Sequence, residues 1–228
     1  MLHKTRGIVL NYIKYRETSI IAKIYTEEFG LQSYVENGVR SPKSKGRIAL
    51  FQPLNLVDLV VYFKPQADIQ RISEIKCTHP FFNIPTDIRK TTLGIFVGEI
   101  LVLTLKENAG NPLLFSFLQE ALIHLEHQDE GVENFHLYFL MTLSAYLGFG
   151  PHTAQDIRMA LAENGIPLTG SALQTLQRIL ENPFGHPLNI SKTQRMEALD
   201  HLLAFYSYNL DSFHGVRSLQ ILKDVLEA

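Results

Sequence analysis

The chain has few of the features that mark secreted, membrane-spanning and disulfide-rich proteins. Its 228 residues include a single cysteine, Cys77, so no internal disulfide framework can form and a reducing cytoplasm is the expected compartment. Charged residues interrupt the longest apolar runs, which stay short of the roughly 18 residues that a membrane span needs. The opening MLHKTRGIVL is charged and then alternates like a strand, so we expect no signal peptide.

Recognisable catalytic motifs are also missing. There is no P-loop, and the glycines lack the strand–loop–helix spacing of a dinucleotide fingerprint. Cys77 has no cysteine partner and is interpreted as a small apolar strand residue. His124 and His127 could face one metal ion, but a polar helix end explains them more simply. We therefore expect no active site, metal or cofactor, and keep a metal hydrolase centred on these two histidines as an alternative.

Charge is present but unevenly distributed. The net charge of −2 conceals 12 Lys and Arg against 7 Asp and Glu in residues 1–80, and 9 against 16 in residues 81–228. Such asymmetry indicates two units with different partners, and a polyanion is the natural partner of the basic one.

The basic unit has the period of β-strands. Five segments alternate with period two and are rich in β-branched and aromatic residues: RGIVLNYIKY, TSIIAKIYTEE, LQSYVENG, LNLVDLVVYF and IQRISEIKC. The connections at 27–30 and 64–68 are short enough for hairpins, whereas 39–53 is long. Five strands in about 75 residues predict a small closed barrel that has no open edges. An OB-type barrel fits this pattern, and an SH3-like barrel is the alternative.

Helical spacing begins after the segment THPFFNIPTD. Apolar residues recur at helical intervals near 93–101, 114–125 and 135–147, and further helices are expected near 170–182, 192–209 and 216–227. The predicted fold class is α+β, with an N-terminal five-stranded OB-type β-barrel over residues 1–80 and an all-α helical bundle over 81–228. The acidic helical half is expected to contact protein.

The first 47 residues interleave cations with tyrosines, the pattern of surfaces that hold single-stranded nucleic acid by phosphate contact and base stacking. The predicted nucleic-acid contacts are Lys4, Arg6, Lys14, Arg16, Lys23, Arg40, Lys43, Lys45 and Arg47, with Tyr12 and Tyr15. Tyr25 and Tyr34 continue the pattern, and Lys23 and Tyr25 should point outward together. The alternative is an ordinary solvated barrel surface. The basic segment VRSPKSKGRIALFQP is expected to be flexible and to order on the nucleic acid, with its apolar end anchored to the barrel.

The order of motifs resembles that of the bacterial RecO family of DNA repair proteins. The family's opening strand, turn and basic loop have counterparts in Lys4, Thr5, Gly7, Tyr15, Glu17, Thr26, Gly30, Gly38 and Arg40. Further matching stretches are LFQPLNLVDLVVY, NPLLFSFLQEAL, LMTLSAYLGFGP and the tail RMEALDHLLAFYSYNLDSFHGVRSLQIL. The resemblance covers nearly the whole chain.

This resemblance implies a non-enzymatic mediator located in the cytoplasm with the nucleoid. Such proteins bind single- and double-stranded DNA, anneal complementary strands, and act with RecR to load RecA on strands coated with single-strand-binding protein, whose acidic tail they contact. Candidate cations for that tail are Arg89, Lys90, Arg158, Arg178 and Arg195. The alternative function is an RNA-binding OB-fold module with a helical interaction domain.

Two departures from the family pattern are visible. Many members carry four zinc-binding cysteines after the L-G-x-x-P turn, but the corresponding LGFGPHTAQDIRMALAENGIPLTG has none, so we expect no zinc and anchoring by packing instead. Asn209 stands where the tail often has histidine, which leaves that position's role open.

Overall fold

The chain forms a closed β-barrel followed by helices, in a computed structural model that describes residues 1–44, 46–105 and 110–227. The predicted α+β class is confirmed. The strands of the described residues are β1 Leu2–Tyr15, β2 Ser19–Thr26, β3 Gly30–Glu36, β4 Leu56–Tyr62 and β5 Ile69–His79. All five correspond to the segments with period two, and β1 begins earlier than the alternation indicated.

The strand order around the barrel is β1-β2-β3-β5-β4, and β4 closes the barrel on β1. All neighbours are antiparallel except β3 and β5, which pair in parallel over Ser33–Val35 and Ile69–Arg71. This is the OB topology, and it decides against the SH3-like alternative. Gly7 lies where β1 crosses the barrel interior, because a Cβ there would come within 2.7 Å of the Ile24 side chain.

The β3–β4 connection is folded. It contains two short 3₁₀ helices, Pro42–Ser44 and Arg47–Phe51, and it places Val39 and Phe51 in the barrel core. Burial of Phe51, which is 0% exposed, confirms that the apolar end anchors this segment. The expectation that the segment orders only on DNA is wrong for its described residues, because these two core side chains fix it at both ends.

The helices of the described residues are α1 Ile88–Thr104, α2 Pro112–His127, α3 Phe135–Tyr146, α4 Ala154–Glu163, α5 Gly170–Glu181, α6 Lys192–Asn209 and α7 Leu219–Glu227. None of the helices that the structure describes is long and apolar enough to cross a membrane. Contacts divide the chain into two compact units: Met1–Phe82 with Leu105–Leu122, and Asn83–Thr104 with Ile123–Ala228. The first two thirds of α2, up to Leu122, thus belong to the barrel unit. The division into domains at residues 1–80 and 81–228 remains a prediction.

Helix α4 lies in the cysteine-free segment that follows the L-G-x-x-P turn. Thr153 and Asp156 form a capping box at its start, and Asp156 accepts hydrogen bonds from the N–H groups of His152 and Thr153, both at 2.9 Å. Ala154, Ile157 and Leu161 are buried. A helix cap and apolar packing therefore fasten this segment.

Candidate nucleic-acid interface

Five of the predicted cations gather at one end of the barrel, and we call them the basic rim: Lys14, Arg16, Arg40, Lys43 and Arg47. Lys14 is the second-last residue of β1, Arg16 lies in the β1–β2 turn, and the other three come from the β3–β4 connection. The pairing of Tyr15 with Ser19 closes the turn, and the Arg40 N–H donates to the Thr18 carbonyl at 2.9 Å. The start of the connection is therefore held against the turn. Lys45, also predicted here, lies outside the described residues.

Arg40 holds this end of the barrel together. Its Nη1 donates to the carbonyls of Arg16 at 3.3 Å and Ser19 at 3.4 Å. Arg16 has a φ of 50°, a left-handed conformation that is uncommon outside glycine. Its guanidinium lies 5.1 Å from the centre of the Tyr15 ring, a cation–π arrangement. The turn is thus fixed by contacts that leave the guanidinium of Arg16 exposed.

Glu36 is a buried carboxylate beside the basic rim. Its Oε1 lies 2.6 Å from Nη2 of Arg47, and its side chain is 7% exposed. Burial raises the pKa of Glu36, and this effect exceeds the opposing influence of Arg47 and Arg71, which favour the ionised carboxylate. The ion pair fixes the orientation of Arg47 and reduces its availability for another anion.

Three of the rim cations are available to a ligand. Lys14, Arg16 and Lys43 are exposed, and none makes an ion pair within the described part of the chain. Glu17 is the exposed acid in the same turn. Lys23, exposed in the middle of β2, extends the positive surface along the barrel. Three unpaired cations on a rigid support are suited to phosphate contacts that do not depend on sequence.

Lys4 and Arg6 lie elsewhere, in a crevice of about 500 Å³ on the outer surface of β1, β4 and β5. Its charged lining is balanced, with three cations and three carboxylates: Lys4, Arg6, Lys76, Glu27, Asp58 and Glu74. Arg6 donates to both carboxylate oxygens of Glu27, at 2.8 and 2.6 Å, and to Oε1 of Gln119 at 2.8 Å. The structure does not bring these two cations together with the rim, and the guanidinium of Arg6 is already engaged.

The tyrosines divide between the core and the surface. Tyr12 and Tyr15 are half-buried, whereas Tyr25 is 4% exposed and Tyr34 is fully buried. The predicted outward pairing of Lys23 with Tyr25 is wrong, because the ring of Phe115 from α2 stacks on Tyr25 with centroids 6.3 Å apart. Strand alternation cannot reveal a cover that comes from 90 residues further along the chain. Neither Tyr25 nor Tyr34 is free to stack on a base.

Comparison with known proteins identifies the family. Residues 1–81 match the family model described as Recombination protein O N terminal, and residues 85–218 match the one described as Recombination protein O C terminal. The chain belongs to the RecO family.

Relatives named DNA repair protein RecO align over essentially the whole chain. The protein of Flavobacterium johnsoniae is 34% identical, with 97% of this chain and 98% of that protein covered. Those of Phocaeicola vulgatus and Bacteroides fragilis are both 33% identical, with 99% and 100% of each chain covered, respectively. Among solved structures, an asparaginyl-tRNA synthetase of Entamoeba histolytica gives a TM-score of 0.29 at 12% identity over 72% of this chain and 33% of that one, which is too low to indicate a shared fold.

The helical unit of this RecO-family protein buries two of the five cations predicted for partner binding. Lys90 is 2% exposed, and its Nζ donates to the Glu126 carbonyl at 2.7 Å. Arg195 is 6% exposed and donates from Nε to Oδ1 of Asn134 at 2.9 Å, and burial lowers its pKa. Both act within the fold. The local sequence around the two residues gave no sign of this burial.

The other three predicted cations of the helical unit are on its surface. Arg89 pairs with Asp87 at 3.2 Å, and Arg178 donates to the Asn189 carbonyl at 3.1 Å. Arg158 is exposed on α4. The structure does not gather these three into one cluster on a single element, and each remains a predicted contact.

The two histidines considered for metal binding have different environments. The Nε2 atom of His124 is buried without a hydrogen-bond partner among the described residues, its ring meets Phe184 edge-on, and burial lowers its pKa. His127 is exposed. Within the described ranges, no group of three or more His, Cys, Asp or Glu side chains is placed to hold a metal ion.

Proposed function

We propose that this RecO-family DNA repair protein is a non-enzymatic mediator that binds single- and double-stranded DNA through the basic rim. It anneals complementary strands and, with RecR, promotes RecA loading on strands coated with single-strand-binding protein. The observation that carries the proposal is the set of unpaired cations Lys14, Arg16 and Lys43 on a folded support. Lys23 and Arg40 complete the proposed contact, with Tyr12 and Tyr15 at its edge.

Annealing follows from the kind of contact that the rim offers. A protein that holds a strand by its phosphates leaves the Watson–Crick edges free to pair with a second strand. Long flexible cations such as Lys14 and Lys43 provide charge without fixing a base sequence, and counterion release supplies most of the affinity. No bond is made or broken in this activity, so it requires no catalytic group.

The acidic helical unit is the proposed protein-docking half. An acidic tail of single-strand-binding protein needs exposed cations, and Arg89, Arg158 and Arg178 meet that requirement while Lys90 and Arg195 are buried. The proposed compartment is the cytoplasm, in association with the nucleoid. These partner assignments rest on the family and on the charge of the unit.

A strand-annealing assay tests the proposal. Two complementary oligonucleotides, each coated with single-strand-binding protein, should anneal faster in the presence of the protein, and the rim variant Lys14→Gln, Arg16→Asn, Lys43→Gln should lose this acceleration. An equal rate for the variant would contradict the assignment of the rim. Titrations with single-stranded DNA and RNA of equal length address the alternative function, because only RNA presents a 2′-OH. Clear preference for RNA would favour an RNA-binding module.

A further inference from the structure

An aliphatic row crosses the outer surface of the barrel beside the basic rim. Strand register places Ile13 of β1 opposite Ile21 of β2, and Ile21 opposite Val35 of β3. The same register continues from Val35 to Arg71 of β5. Because neighbouring strands are about 4.8 Å apart, the three aliphatic side chains span about 10 Å and Arg71 lies one strand further. We call Ile13, Ile21 and Val35 the aliphatic row.

The row faces outward. On β2, the alternate residues Ile20, Ala22 and Ile24 are fully buried in the barrel core, so Ile21 and its cross-strand partners lie on the opposite surface. Ile13 is 62% exposed, and Ile21 and Val35 are partly exposed. An exposed aliphatic side chain is unremarkable alone, but three in register form a continuous apolar strip.

Two cations flank the row on its own surface, whereas the acids at this end of the barrel are exposed Glu17 in the β1–β2 turn and buried Glu36. Lys23, two residues beyond Ile21 on the same surface, and Arg71 are both exposed. The neighbouring set of cross-strand partners pairs Asn11 with Lys23 and Lys23 with Ser33, and none of these residues is acidic. An apolar strip bordered by cations fits a ligand that offers flat apolar faces together with a regularly charged backbone.

We propose that the aliphatic row receives the bases of a single strand whose phosphates lie on the basic rim, Lys23 and Arg71. The inference rests on the proposed function and adds a determinant of specificity to it. A duplex presents phosphates but keeps its bases stacked inside, so it gains only the rim contacts. A single strand gains both. The row therefore makes the surface prefer single strands over duplex.

Aliphatic contacts of this kind suit a protein that must release bases for pairing. Stacking on aromatic rings holds a base more tightly than contact with a methyl group does. The row has no aromatic member, and the ring of Tyr15, two residues after Ile13 on β1, already carries the guanidinium of Arg16 at 5.1 Å. Bases on this surface are thus sheltered from solvent but remain free to exchange.

Two variants test the row. Ile13→Thr with Val35→Thr keeps β-branched residues on the strands while removing apolar surface, and we expect single-strand affinity to fall about fivefold with an unchanged salt slope. Duplex affinity should stay the same. Ile13→Tyr adds a stacking ring and should raise single-strand affinity several-fold, a gain that damaged folding cannot produce. Fluorescence anisotropy with labelled single-stranded and duplex oligonucleotides of equal length measures both.

The matched control is Leu2→Thr, the same type of change at the opposite end of β1, where the side chain is 52% exposed. It should alter neither affinity. The inference would be overturned if the double Thr variant lost affinity equally for single strands and for duplex. It would also be overturned if the double Thr variant lost no affinity and Ile13→Tyr gained none. The latter result would favour a protein ligand for this row. If the rim variant loses DNA binding and the row variants behave like wild type, the row alone fails and the proposed function stands.

Discussion

Neutralising the rim cations is the sharpest test of how this barrel holds DNA. The change is Lys14→Gln, Arg16→Asn and Lys43→Gln, with Asn chosen because it tolerates the φ of 50° at Arg16. None of the three side chains makes an ion pair with a described residue, so their removal breaks no internal salt bridge. Arg40 and Arg47 are left in place because they hold the segment in its folded position.

The expected magnitude follows from counterion release. Each phosphate contact on a single strand releases about 0.7 of a counterion, which at 0.1 M salt is worth about a fivefold change in affinity. Three contacts give a loss of about 100-fold at 0.1 M salt, and the slope of log K against log salt becomes shallower by about 2. The loss should shrink towards zero as the salt concentration approaches 1 M.

Anisotropy titrations of a labelled single strand between 50 and 400 mM salt measure both quantities. The matched control removes three cations outside the rim, by Lys4→Gln, Lys76→Gln and Arg158→Gln. It changes the net charge equally, so its slope should stay close to that of the wild type. An unchanged slope for the rim variant, or an equal decrease in the control, would refute the assignment of the phosphate contacts to the rim.

Three further predictions concern the fold. The ring nitrogens of His136 are fully buried and unpartnered among the described residues, and burial lowers its pKa to about 3. Its unfolded form takes up a proton below pH 6.5, whereas the buried ring of the folded form does not. His136→Leu should therefore lose about 3 kcal/mol less stability than wild type between pH 7 and pH 4 in urea titrations, and an equal loss in both proteins would contradict this. Glu126→Ala removes the carboxylate that accepts the Asn83 and Ile84 N–H groups at 2.8 and 2.9 Å, and should cost about 2–3 kcal/mol in the same assay; a change below 0.5 kcal/mol would contradict that role. Gly110→Ala should lower the melting temperature by several degrees, because its Cβ would lie 2.2 Å from the Glu27 carbonyl; an unchanged temperature would show that this contact yields without cost.

The barrel was largely predictable because period-two alternation marks each strand locally. The choice between barrel topologies was not, since it depends on the parallel pairing of β3 with β5, which joins segments about 36 residues apart. The rim cations could be named from composition. Their separation from Lys4 and Arg6 could not, because it depends on strand register and on the opposing carboxylates Asp58 and Glu74.

The sequence also did not predict which polar residues are buried. Lys90 and Arg195 are charged residues that sequence reasoning placed on the surface, and tertiary partners such as Glu126 and Asn134 explain their burial. Tyr25 likewise alternates outward on β2 and is then covered by Phe115. Long-range contacts of this kind leave no trace in local periodicity.

The close packing of Gly110 against the β2–β3 turn determines which segments can be exchanged between members of this family in chimeras. The chain leaves the barrel unit after Phe82 and returns to it for Leu105–Leu122, where Phe115 covers Tyr25 and approaches Arg6. A chimera spliced once near residue 82 would combine one parent's barrel with the other parent's covering helix. Functional hybrids should therefore require two crossovers, so that residues 105–122 are inherited with the barrel they cover.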